Sequence, residues 1–216
     1  MLTVVLTRHG ATPLSEPEQH LGQSIDIGLS AAGRVAAPAL ADRLAGVAFD
    51  RIVSSPLRRA RETAEIVAGS LPVETDGRIV EMDYGAWEGL TYEQIDARDL
   101  ELRRRWEKDP ARTACPEGES GDDVARRARS FLGDAIARGR QGGRILVVAH
   151  ATFNRILLCV ALGVPVRDYR RRFRQDPANL TALHYPGGVE EGALLLVGND
   201  TSHLEAAAVS WRKGGR

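Results

Sequence analysis

Cysteine is scarce in this 216-residue sequence, with Cys115 and Cys159 the only two. Neither belongs to a CxxC pair, which argues against a zinc site or a redox motif. Two free thiols fit a reducing compartment. Net charge is missing as well, because 29 basic residues balance 29 acidic ones. Nothing global therefore points to nucleic acid or to an anionic membrane surface. A small anionic substrate is not excluded, since a pocket needs only a few local cations. No apolar run approaches the ~20 residues of a membrane span. The segment Met1 to Pro13 is apolar but brief, is cut by Arg8, and lacks a basic leader and a cleavage site, so it does not read as a signal peptide. Internal repeats, low-complexity tracts and linkers are also absent. The expectation is a cytoplasmic protein with one domain over residues 1–216; a homodimer is left open. What is present is ordinary for a globular chain, 43% hydrophobic and 27% charged.

Short apolar runs alternate with helical patterns. Leu2 to Thr7 reads as a buried strand that stops at Arg8-His9-Gly10, and residues 10–29 read as a surface loop. Ser30 reads as the N-cap of a helix ending at Gly46, with Pro38 predicting a kink or a late start. Phe49 to Ser54 is a second strand, with Ser55-Pro56 as N-cap and first position of the next helix. Pro72 to Glu74 is a third short strand. Residues 81–90 form a loop with aromatic anchors, and 91–108 and 119–140 are helical. Arg144 to Ala149 is the clearest strand, ends at His150, and precedes an apolar helix from Phe153 to Leu162. Leu180 to Tyr185 and Ala193 to Val197 are two more strands. The alternation implies an α/β fold, a largely parallel sheet flanked by helices. Residues 82–118 read as a helical excursion capping the C-terminal strand ends.

In such sheets ligands bind beyond the carboxyl ends of the strands. His9 and His150 both stand there, and parallel neighbouring strands would bring them to one rim. Either alone reads as a hydrogen-bonded rim histidine; both together, one flanked by Arg8 and Gly10, weaken that reading. The set suits phosphoryl transfer. Arginine forks match phosphate oxygens, and Arg8 and Arg59 supply them. A neutral imidazole with one free nitrogen is a competent nucleophile. Gly10 would let the backbone approach the phosphate, and the leaving oxygen needs an acid nearby.

Arg8-His9-Gly10-Ala11-Thr12 resembles the RHG-x-T signature of the histidine phosphatase superfamily, which includes the cofactor-dependent phosphoglycerate mutases. Further segments match in order. Ser55 to Ala60, with Thr63-Ala64, resembles S-x-L-x-R-A-x-x-T-A, with Arg59 as the matching arginine. Glu81 to Gly85, then Glu88-Gly89, resembles E-x-x-[FY]-G-x-x-E-G. Pro116 to Ser120, Val148 to His150 and Asn199 to Leu204 resemble later segments. The resemblance implies that His9 becomes phosphohistidine, that Glu81 protonates the leaving group and then activates water, and that Arg8, Arg59 and His150 bind the phosphoryl group. It also carries Gly10, Thr12, Ser15, Gly22 and Ala151 onto the substrate, and implies no metal and no organic cofactor.

The sequence departs from the pattern at Ser15, where Asn is usual, and at Leu21, where a polar residue is common. It departs again at Met82-Asp83, where the mutases carry a basic residue and His, and at Ala151 in place of Gly. Glu88 reads as a loop anchor, and Trp87 and Trp106 as loop and cap anchors. His20 and His203 read as surface residues, with a second reading at the pocket mouth, and His184 as structural. The runs Arg170-Arg171-Arg172 and Arg103-Arg104-Arg105 read as solvated helix faces, the former with a second reading as a site for the distal acidic end of a substrate. The interval from Glu81 to Pro116 lacks the long insertion of the mutases, and the chain ends at Trp211 to Arg216 without their closing tail. An open site favours water as acceptor. The expected function is therefore hydrolysis of a small phosphorylated metabolite, ahead of a mutase and well ahead of a non-catalytic module.

Overall fold

The structure, a computed structural model, describes residues 1–15, 19–139 and 141–204. Six strands form one sheet in the order β3-β2-β4-β1-β5-β6. They are β1 (Leu2–Arg8), β2 (Arg51–Ser54), β3 (Val73–Thr75), β4 (Gly143–Ala149), β5 (Leu180–Tyr185) and β6 (Leu194–Asp200). The first four run parallel, while β5 pairs antiparallel with both β1 and β6. The antiparallel pairing of β5 with β6 follows from the short connection between them, which leaves no room for a crossover helix.

β1 and β4 lie in the middle of the sheet, which is why both are continuous apolar runs and not alternating ones. Their side chains divide between two layers. Val4, Leu6, Ile145 and Val147 face α4 (Gly121–Arg138) and α5 (Ala151–Leu162), whereas Val5, Leu146 and Val148 face α1 (Ala31–Leu44) and α2 (Arg58–Ala68). Covered on both faces, the sheet exposes its strand ends, and these carry the chemistry.

Local signals account for most helix ends. Ser30 caps α1 through the Gly33 N–H, and the helix runs through Pro38 from Ala31, so no late start occurs. Ser120 and Asp123 cap α4 reciprocally. Ser55-Pro56 does not open α2; that helix begins at Arg58 after Leu57. The Ser55 hydroxyl accepts the Leu57 N–H at 3.3 Å, ahead of the helix, and also meets the imidazole of His150.

The excursion between β3 and α4 carries a one-turn helix at Gly85–Trp87 and α3 (Tyr92–Lys108). The latter is broken at Asp99, which leaves helical geometry and accepts the indole N–H of Trp87 at 2.8 Å. Trp87 and Trp106 meet edge to face at 5.9 Å. Both belong to the same apolar cluster as α4 and α5, so this segment is continuous with the core. A short α6 (Tyr169–Arg172) follows α5. No helix among the described residues is long and apolar enough to cross a membrane.

Candidate active site

Sheet register sets the centre of the site. Arg8 of β1 pairs with Ala149 of β4, so the next residue of each strand, His9 and His150, emerges on one rim. Their ring centroids are 5.1 Å apart. His9 Nδ1 lies 2.7 Å from the carbonyl oxygen of Gly10. A carbonyl can only accept, so Nδ1 carries the proton and Nε2 keeps its lone pair. Burial, then Arg59 and Arg8, push the His9 pKa well below its ordinary value. The ring is neutral and nucleophilic near neutral pH.

Arg59 is completely buried. Its Nε–H donates to His150 Nδ1 at 3.3 Å, and its Nη groups donate to the carbonyls of Gly22 at 2.7 Å and Ile25 at 3.2 Å. His150 Nδ1 is therefore an acceptor, and Nε2–H donates to Ser55 Oγ at 2.8 Å. Burial and the Arg59 charge also hold His150 neutral. Arg8 donates to the carbonyl of Gln175 at 3.0 Å.

Glu81 enters from the loop after β3, and its carboxylate accepts the backbone N–H groups of Met82, Thr152 and Phe153 at 2.9–3.1 Å. Two of those donors belong to the first turn of α5. Arg127, which the sequence reading missed, fixes this loop. It donates to the carbonyls of Arg78, Val80 and Glu81 and pairs with Glu119 at 2.9 Å. An arginine inside a charged helix carries no local signal for this; only the loop folded over it does.

A narrow cavity lies above His9. Arg8, Glu81, Thr12, Ser15 and Ala151 line it, so five of the ten residues singled out from sequence surround His9 there. Arg59 and His150 lie behind its wall, fully buried. Gly10 and Gly22 do not line it, contrary to expectation. A Cβ on Gly10 would come within 2.9 Å of the Gly33 carbonyl, so glycine is required there for docking α1. A Cβ on Gly22 would overlap the carboxylate of Glu88. Glu88 holds that loop through the N–H groups of Gln23 and Ser24, at 2.6 and 2.8 Å.

The opposite wall corrects further expectations. His20 is buried, not superficial, among Tyr84, Tyr92 and Trp106, with centroids 4.8–6.4 Å away. Arg170 is not a solvated side chain; it stacks 4.8 Å from the Trp106 ring and donates to Tyr92 Oη at 3.1 Å. Arg103 is also buried and stacks on Tyr92 at 4.7 Å. His203 is half-buried, with Nε2 at 2.9 Å from the Ala178 carbonyl oxygen. Among the described residues, no group of three or more His, Cys, Asp or Glu side chains is arranged to hold a metal ion.

Residues 4–198 match the model of the histidine phosphatase superfamily (branch 1). The bifunctional protein Rv2228c of Mycobacterium tuberculosis is 44% identical over 207 residues, covering 93% of this chain but 54% of that protein. The chain thus spans about half the length of the first curated relatives it matches. Phosphoserine phosphatase 1 of Hydrogenobacter thermophilus is 32% identical over 206 residues, covering 94% of this chain and 95% of that one. The mycobacterial glucosyl-3-phosphoglycerate phosphatase Rv2419c superposes with a TM-score of 0.84 at 33% identity, covering 92% and 99% of the two chains.

Proposed function

This chain belongs to the histidine phosphatase superfamily, and on that premise we propose that it is a phosphomonoesterase that works through a phosphorylated His9. The observation that carries the reading is the bond from His9 Nδ1 to the Gly10 carbonyl, which leaves Nε2 as the unprotonated nitrogen beside a cavity lined by Arg8 and Glu81. The phosphatase names of two of the compared proteins support hydrolysis as the outcome.

A phosphate ester enters with its dianion beside Arg8 and the N-terminal end of α5. His9 Nε2 attacks phosphorus, the N–P bond forms, and the bond from phosphorus to the ester oxygen breaks. Glu81, which enters this step as the carboxylic acid, gives its proton to that oxygen and becomes the carboxylate, and the alcohol leaves. Water then attacks the phosphohistidine, its proton passes to Glu81, and inorganic phosphate departs with His9 neutral again. Arg59 acts from behind the wall by fixing His150 and the loop at Gly22–Ile25. The buried free thiols of Cys115 and Cys159 suit the reducing cytoplasm we assign to the protein.

Release of inorganic phosphate from a panel of small phosphate esters tests the reading, with EDTA present and His9→Ala as control. Turnover in EDTA and an acid-labile phosphoryl group absent from His9→Ala are expected. Interconversion of the monophosphoglycerates faster than phosphate release would replace hydrolysis with isomerisation. Turnover undiminished in His9→Ala would remove the reading.

A further inference from the structure

Beyond the narrow cavity lies a much larger space of ≈ 940 Å³. Arg8, Thr12, Ser15, Arg155 and Arg170 line both, against ≈ 60 Å³ for the inner one, so the two are contiguous. Among the described residues the charge of the outer space is one-sided, with six arginines against Asp176 as the single carboxylate. Asp176 is committed to Arg174, 2.8 Å away. Arg8 belongs to the inner cavity, and Arg170 is spent on Tyr92 and Trp106. That leaves Arg155, Arg171 and Arg172 facing a common volume with no carboxylate partner among the described residues.

Arg155 is the most informative of these. It lies one turn along α5 from Ala151, on the face that lines both spaces. Helical side chains lean towards the helix N-terminus, which tilts this one back over the inner cavity. Its Nε is buried and has no hydrogen-bond partner among the described residues. A desolvated guanidinium donor is costly unless something accepts from it. No described residue does. The frame around it is fixed: neighbouring Asn154 donates to the Gln175 side chain at 3.2 Å, and Asn199 holds Asp176 through bonds of 2.8 and 2.9 Å. The backbone that carries Arg155 and the facing loop at Gln175–Asp176 are thus held in place.

We propose that this outer chamber recognises a second anionic group, a carboxylate or a second phosphate, on the leaving-group side of the substrate, with Arg155 as its main partner and Arg171 and Arg172 at its edge. The inference rests on the phosphomonoesterase reading only for which end of the ligand enters first. The distal anion completes the hydrogen bonding of Arg155 and places the scissile phosphate over His9. An ester without such a group leaves that arginine unsatisfied.

Binding to the His9→Ala protein, measured by calorimetry, separates recognition from turnover. Two matched pairs are compared: 3-phosphoglycerate with glycerol 3-phosphate, and fructose 1,6-bisphosphate with fructose 6-phosphate. The expected result is about tenfold or greater preference for the doubly anionic member of at least one pair. The pair that responds tells a carboxylate from a phosphate. Adding Arg155→Gln should bring that ratio to within about twofold of one, and Arg155→Lys should restore part of it. The ratio cancels any general loss that both esters share. A ratio near one in both pairs, or a preference that survives Arg155→Gln, overturns the proposal. Loss of phosphatase activity in the His9-containing enzyme would remove the hydrolytic reading and leave this binding result standing.

Discussion

Arg59 donates its Nε–H to Nδ1 of His150 across 3.3 Å, and both side chains are completely buried. This one contact fixes the tautomer of His150, points its second nitrogen at Ser55, and places a cation beneath His9 without exposing it to water. Two residues that the sequence assigns to the phosphate are therefore bound first to one another.

Removing that cation should damage folding and catalysis together. Arg59→Met leaves the carbonyls of Gly22 and Ile25 without their donor, at a cost of about 2–4 kcal/mol. The accompanying fall in kcat/KM should be about 100-fold or more. Neighbouring Arg58 is exposed and paired with Glu62, so Arg58→Ala should cost under about 1 kcal/mol. Urea titrations and steady-state assays on both variants make the check, and similar losses from the two would refute it.

His9 and His150 give the protein a specific sensitivity to acid. Both have folded-state pKa values lowered below the unfolded imidazole value of about 6.5. Below that pH the unfolded chain takes up protons that the folded chain refuses. Their contribution is therefore fully present above pH ~6.5 and declines as pH falls towards the folded values. The slope approaches about 1.4 kcal/mol per pH unit for each ring. Thermal midpoints between pH 7.5 and 5 should fall less steeply in His150→Gln than in the parent. An identical slope would contradict the assignment.

Glu81 can be tested through its leaving group. A nitrophenolate departs without help, whereas an alkoxide needs a proton. Glu81→Gln should slow an alkyl phosphate at least about tenfold more than p-nitrophenyl phosphate. Equal slowing of the two esters would leave Glu81 no part in proton transfer.

The turn at Gly85–Trp87 depends on one glycine. Gly85 has φ of +51°, and a Cβ there would lie 2.0 Å from the Pro116 carbonyl oxygen. Gly46 has φ of +82° but nothing within 4 Å. Gly46→Ala should cost about 1 kcal/mol through backbone strain alone. Gly85→Ala adds a collision with backbone and should cost about 2–3 kcal/mol or more. Denaturation of the two variants separates strain from clash.

Much of the fold could be read directly. The strands ending at Arg8 and Ala149 are continuous apolar runs because they are covered on both faces, and such runs are visible without any partner. Ser30 and Ser120 announce their helices because capping is a local contest for nearby N–H groups. Ser55 carried the same signal and misled, since its hydroxyl serves the Leu57 N–H before the helix begins and a distant imidazole as well. Gly10 and Gly22 misled in another way: glycine marks close approach, but the sequence does not say to what.

The sequence by itself determined the strand–helix alternation, the two rim histidines and the order of the motifs, all of which rest on period, propensity and neighbours within a few residues. Tertiary structure alone decided which groups face the cavity and which stand behind it. It buried Arg59 and His20, folded Arg170 onto an aromatic wall, and brought Arg127 beneath the Glu81 loop. The physical reason is that a side chain's fate depends on partners tens of residues away. Register and packing choose those partners, and no local pattern records them.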